Sequence, residues 1–388
     1  MLFFVFLRPF LSVVKPRKPA LPYFSPMIKV PRYLKLAGWL LVCIVIHLYA
    51  GDQARVETGY STGLFPRISA VLRNLTGLLP FSLGDILYGL VIIWLIVRLF
   101  SKGRIWFQKR RGETAPGSRS AWWYRLLVRV CAIYIIFNLF WGINYNRQGI
   151  SRQLGFTVSD YTANELRTLN GLLLEAINRE KGLIVQKDHP DFDKRALSGE
   201  VQRSYERAAR EYPFLQISPF SFKSSLWGWL GNYTGFTGYY NPFTGEAQVN
   251  TTVPAFLQPF IGCHEVAHQL GYAKENEANF VGYLAARSST NPAVRYSAYL
   301  DLFTYANRSL QAVDSAAAGR CRRDLSEPVK KDIDEWIRFN RNHQSVLEPL
   351  IRWAYGKYLE NNQQPKGIYS YDEVTAYLIG YYRKYGHI

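Results

Sequence analysis

The sequence predicts a mainly α-helical membrane protein: three N-terminal transmembrane helices, then a predominantly helical α+β domain with a small β edge. Three observations carry this prediction. Three apolar runs ahead of Asn144 each approach the roughly 20 residues that a bilayer crossing requires. From about Asn144 onward, apolar residues recur at helical spacing among charged ones, as in helices that bury one face in a soluble core. Between those helices, residues 221–251 carry the turn chemistry and β-formers of a short β region.

The first run, Leu36–Ala50, sits in a span of about 35–51. The second, Leu83–Leu99, has Asp85 at one edge and Arg98 placed to snorkel at the other. The third lies within 125–143, with Trp122, Trp123, Tyr124 and Trp141 as interfacial anchors. Lys15, Arg17, Lys18, Lys29, Arg32 and Lys35 precede the first span. Lys102, Arg104, Lys109, Arg110, Arg111 and Arg119 fall between the second and third. The positive-inside rule places both groups in the cytoplasm, so residues 144–388 are expected outside it, in the periplasm if the cell is bacterial. The loop Gly51–Pro80 is then external, and the aromatic stretch Tyr60–Asp85 is expected as a short helix on the membrane or against the soluble domain. This topology accounts for the net charge of +18 and names the lipid bilayer as partner. Nucleic acid is not expected, since no nucleic-acid motif is present. Residues 1–34 form a basic segment in which Met27, the second of two methionines, is an alternative start.

In the soluble part, Thr162-Ala-Asn-Glu165 is a capping box leading Leu166, Leu169, Leu173 and Ile177 at helical spacing. Further helices are expected over Phe192–Tyr212, from Asn291-Pro292 to Leu310, from Ser326 to about His343 with more helix to Glu360, and over Tyr371–Tyr385. Asn241-Pro-Phe-Thr-Gly245 reads as a turn and Glu246–Thr251 as a strand. The four cysteines lack zinc-finger spacing; Cys263 reads as a small buried residue, and its pairing with Cys321 stays open.

The chemistry concentrates in residues 262–280. A helix from about Pro254 to Leu270, kinked at Pro259, carries His264-Glu265-Val266-Ala267-His268. Residues four apart share a helical face, so His264 and His268 are spaced to grip one Zn²⁺, and Glu265 is placed as general base toward a zinc-bound water. Gly271 allows the chain to reverse into a second helix from Lys274. Its first turn offers Glu275 and Glu277. Glu275 is the preferred third ligand because Asn279, one turn later, can bond the outer nitrogen of a ligating histidine. Glu277, followed by Val281, is the runner-up. A third ligand at the position of Lys274 is excluded, since an ammonium cannot ligate.

Glu275-x-x-Ala278-Asn279 resembles the Glu-x-x-Ala-Asp signature of gluzincin peptidases, with Asn279 in place of Asp. Together with Leu79-Pro-Phe-Ser-Leu-Gly-Asp85 and Asn241–Asn250, the whole pattern is similar to a family of bacterial membrane proteins of unknown function that carry three N-terminal spans and a His-Glu-x-x-His-Gln-x-Gly motif. The resemblance implies a zincin-like α+β domain over 144–388, whose strand before the motif helix would pair with an extended peptide. The expected function is a membrane-anchored zinc metallopeptidase acting on extracytoplasmic proteins or peptides, its substrate unknown. The alternative is a non-enzymatic membrane sensor or envelope assembly factor that keeps the zinc-binding fold. Tyr239, Tyr240, Tyr272 and His343 are unranked candidates for the oxyanion donor.

Overall fold

The computed structural model describes residues 31–110, 119–187 and 194–388. The basic segment with Met27 up to residue 30, and the basic loop 111–118, lie outside the described residues. Helices in chain order are α1 Arg32–Ala50, α2 Gln53–Arg55, α3 Phe65–Gly77, α4 Leu83–Arg110, α5 Arg119–Phe140, α6 Ile150–Gln153, α7 Ala163–Lys187 and α8 Lys194–Glu211. Strand β1 Phe222–Ser224, helix α9 Gly228–Thr234 and strands β2 Gly238–Asn241 and β3 Glu246–Val249 follow. The chain closes with α10 Gln258–Gln269, α11 Glu275–Arg287, α12 Pro292–Val313, α13 Ser315–Arg323, α14 Glu327–Asn342, α15 Glu348–Asn361 and α16 Val374–Tyr385.

Arg32–Ala50, Leu83–Ser101 and Trp122–Phe140 are helices long and apolar enough to cross a membrane. The third stops at Phe140, three residues before the expected end. Trp141 leaves helical geometry at φ −156°, and Gly142–Asn146 form a 3₁₀ turn. The reason is packing. Trp141 is buried against Phe65 and Tyr240, with ring centroids at 5.8 and 4.8 Å, so the chain turns into the domain at this point.

The segment between the first two spans is also built into the domain. A π-helix, Val56–Leu64, runs into α3, and the inner face of α3 is polar and buried. Ser69 Oγ donates to the Gln269 carbonyl at 3.1 Å, and Arg73 donates to the carbonyls of Pro219 and Gln269. Ahead of α4, Ser82 Oγ accepts from Asp85 N as a helix cap. Glu246 of β3 accepts from the amides of Leu83 and Gly84 at 3.0 and 2.6 Å. A carboxylate at a helix N-terminus satisfies orphan amides and meets the positive end of the dipole.

The three strands lie in the order β1-β3-β2, with β1 parallel and β2 antiparallel to β3. Asn241–Gly245 makes the turn between β2 and β3, with Gly245 at φ +70°. The core sits behind this sheet. Leu166, Leu169, Leu173 and Ile177 of α7 are all buried, and α7 packs along α12. The capping box forms as the sequence predicts: Thr162 N donates to Glu165 and Glu165 N to Thr162 Oγ1. Two expected boundaries shift. Pro259 lies in the first turn of α10, after a 3₁₀ turn at Ala255–Leu257, and does not kink a longer helix. Tyr371 belongs to a 3₁₀ turn, Gly367–Glu373, and α16 begins only at Val374.

The helix pair α10 and α11 positions the site. Both are almost wholly buried. Gly271, at φ +86°, reverses the chain between them, a conformation that costs an L-residue strain. Gly282 of α11 lies against the backbone of α10: a Cβ there would stand 3.0 Å from His264 N. All four cysteines are free, so Cys263 and Cys321 are not paired. Cys263 is buried, and its carbonyl accepts from Tyr205.

Candidate metal centre

His264, His268 and Glu275 converge, each less than a tenth exposed. His264 Nε2 lies 3.1 Å from His268 Nε2 and 3.1 Å from Glu275 Oε2, and His268 Nε2 lies 3.5 Å from the same oxygen. His268 Nδ1 donates to the Tyr272 carbonyl at 2.7 Å, and a carbonyl can only accept. His264 Nδ1 meets Asn279 Oδ1, also at 2.7 Å. These outer bonds turn both Nε2 lone pairs inward, toward each other and toward a carboxylate oxygen. Three electron-rich atoms in such a triangle repel unless a cation or a proton lies among them. Four ligands about 2.0–2.1 Å from a tetrahedral zinc stand roughly 3.3 Å apart, and the observed edges bracket that value. The donor set of two imidazoles and one carboxylate therefore fits a small divalent ion.

The electrostatics agree. Burial alone would raise the Glu275 carboxyl, but His268 and His264 outweigh it and hold the group well below the usual carboxylate range. Burial would lower His264, yet the Glu275 and Glu265 carboxylates bring it up to about 9. Glu265 projects from the same helix with a different outcome. Burial pushes its carboxyl up to about 7, and its Oε2 has no hydrogen-bond partner in the protein. Strand β2 passes beside it, and a Cβ on Gly238 would come within 2.7 Å of Glu265 Oε1. A cavity of about 550 Å³ opens onto His264 and Glu265, with walls from α9, α12, α14, α15 and the turn holding Tyr371.

The remaining candidate residues separate from this group. Glu277 is buried beside Gly149, with Lys274 Nζ at 3.7 Å, and is not part of the ligand cluster. Tyr239 bonds to Asp85. Tyr240 is half-buried against Trp141, and Tyr272 OH donates to Gln153 at 2.6 Å. His343 bonds to the Phe339 carbonyl and packs on Tyr233. Two tyrosines that sequence reasoning did not single out stand at the centre instead. Tyr355 OH donates to Glu275 Oε1 at 2.7 Å. The Tyr371 ring stacks on His264 at 6.1 Å. No local signal marks either one, because both reach the centre through tertiary packing. Trp141, at the end of the third span, meets His268 edge-on at 5.8 Å.

The family model described as "Protein of unknown function (DUF3810)" matches residues 60–379. The chain belongs to the DUF3810 family. In this DUF3810 member the matched region begins in the π-helix after the first span and ends in α16, so it takes in the second and third apolar helices and the whole metal centre. No curated protein and no solved structure matches the chain.

Proposed function

We propose that this protein is a membrane-anchored zinc hydrolase that cuts peptide bonds of extracytoplasmic proteins or peptides, with a zincin-like arrangement of α10, α11 and the β2–β3 edge. The observation that carries this is the pairing of a zinc-sized ligand triangle with one unpartnered, buried carboxylate, Glu265, at the floor of a cavity. His264, His268 and Glu275 would hold the ion. Bound by these residues, zinc would supply a Lewis acid for a substrate carbonyl and would lower the pKa of a coordinated water toward 7.

Glu265 would accept a proton from the attacking water and return it to the leaving amine. Tyr355 fixes the Glu275 carboxylate, and Asn279 and the Tyr272 carbonyl fix the two imidazoles, so the residues need little reorganisation during the reaction. Tyr371, on the cavity wall, would be the donor to a developing oxyanion.

The test uses the full chain purified in detergent without chelator. Elemental analysis is expected to give one zinc per chain in wild type and Glu277→Gln, and none in His268→Ala or Glu275→Gln. Glu265→Gln should keep the metal and lose hydrolysis of a peptide library. A folded wild-type protein without zinc overturns the hydrolase reading. Zinc retained with equal activity in Glu265→Gln overturns the role of the base and favours the sensor or assembly-factor alternative.

A further inference from the structure

Helices α9 and α15 each present two distinct faces. One face of each lines the cavity: Gly231, Asn232 and Thr234 from α9, and Glu348, Ile351 and Tyr355 from α15. The opposite face of α15 carries Leu350 and Trp353, while Leu347 before it and Tyr358 near its end are exposed along the flank. Leu350 and Trp353 are 60% and 63% exposed. The adjoining α9 exposes Leu226, Trp229 and Leu230. An exposed apolar surface of this kind needs a covering partner.

The surface runs continuously onto the membrane-crossing helices. Trp227, beside Leu226, donates its indole N–H to the Asp85 carbonyl in the first turn of α4, and its ring fills the space over Gly89. Tyr358, at the far end of the α15 stripe, packs edge-on against Phe137 of α5 at 6.3 Å. The patch thus begins at one candidate span and ends at another. Its composition is aromatic and aliphatic, with Lys357 and Glu360 ion-paired at 2.6 Å on the same arc. Trp and Tyr are the side chains that favour the headgroup layer.

We infer that the α9–α15 surface lies in the interfacial layer of the bilayer crossed by α1, α4 and α5, its occupant being lipid. The cavity then lies directly behind two helices seated on the membrane surface. On the hydrolase reading proposed above, the substrates are polypeptide segments held at that surface, such as the stretch beside a membrane anchor, rather than peptides free in solution.

The experiment places benzoyl-phenylalanine at Leu350, Trp353 or Trp229 of the full chain in phospholipid nanodiscs and irradiates it. Leu95, in the second span, is the positive control, and Arg210, exposed on α8, is the negative one. Each probe replaces a solvent-exposed side chain, so the fold is not at stake. The expected result is a mass increase of one phospholipid at the three patch positions and at Leu95, with none at Arg210. Absence of lipid adducts at Leu350 and Trp353, with Leu95 labelled, overturns the inference. So does a covalent dimer in place of the lipid adduct, which would assign the surface to a second copy of the chain. Neither readout depends on metal or hydrolysis, so the result stands apart from that of the zinc experiment.

Discussion

At the scale of single residues, the centre depends on groups that hold other groups still. Gly238 lets strand β2 pass Glu265 without a side chain between them. Gly238→Ala is expected to push Glu265 off its position and abolish peptide hydrolysis while zinc content stays at the wild-type level, read by elemental analysis beside the activity assay. Tyr355 acts from the other side. Tyr355→Phe removes the donor to Glu275 without touching a ligand, and metal affinity should fall roughly 10–100-fold, as outer-shell changes do. A competition titration with a fluorescent zinc chelator measures this; an unchanged affinity would mean that Tyr355 fills space only. The triangle itself was legible in the sequence because its members fall within twelve positions, 264 to 275, where helix period and one glycine turn decide the geometry. Tyr355 was not, since the bond it makes to Glu275 spans 80 positions and depends on where α15 packs.

At the scale of elements, local chemistry and tertiary packing meet at the start of α7. The capping box there was readable because Thr162 and Glu165 act within one turn. Its second use was not: Arg383, near the end of α16, donates to both Glu165 oxygens at 2.6 and 3.0 Å. That Arg383 bond, with the Thr162 donors, brings the Glu165 carboxyl down to about 2. A folded-state value below the unfolded one means that this contribution is present above about pH 4–5 and disappears as pH falls toward 2. The gap in denaturant midpoint between wild type and Glu165→Gln should therefore exist at pH 6 and close by pH 2. The effect should be small, since the group is exposed and solvent screens it. A gap that persisted at pH 2 would assign the loss to something other than ionisation. The end of α5 was misjudged for a related reason. Hydropathy continues past Phe140, but the pull of the domain core on Trp141 ends the helix there.

At the scale of the whole molecule, the apolar helices and the domain are interlocked. The two outlying motifs, Leu79–Asp85 and Asn241–Asn250, explain each other in space. Lys223 bonds to the Leu79 carbonyl, Asp85 accepts from Leu226 N, Ser225 and Tyr239, and Glu246 caps α4. Sequence reading treated residues 144–388 as a separate domain, because composition changes at that point and contacts made across it leave no periodic trace. Phe65 and Trp141, from the preceding part, complete its surface beside Tyr240 and Ala273. A fragment of residues 145–388 should accordingly melt well below the full chain or aggregate, as differential scanning fluorimetry in matched detergent would show. The buried Arg147–Glu57 pair, with Nη2–Oε1 at 2.7 Å, is a second fastening. Arg147 also lies over the Tyr272 ring, whose backbone carbonyl orients His268. Removing one partner of a buried pair typically costs about 3–5 kcal/mol, so Glu57→Gln should lower stability by that order in equilibrium unfolding. A negligible change would mean that water reaches Arg147 once its partner is neutral.

The contact of Gly282 with the backbone of His264 bears on which ions the centre accepts. At Gly282 the two helices touch backbone to side-chain-free backbone, and the turn at Gly271 ties them together at the near end. On the zinc reading proposed above, this close approach would restrain the spacing of the ligands, and a set of two imidazoles and one carboxylate would suit zinc better than Ca²⁺, which takes six to eight oxygen ligands at longer range. Gly282→Ala would keep all three ligand side chains but press α11 away from α10 at His264, so its first symptom should be altered preference among divalent ions in competition binding rather than an empty site.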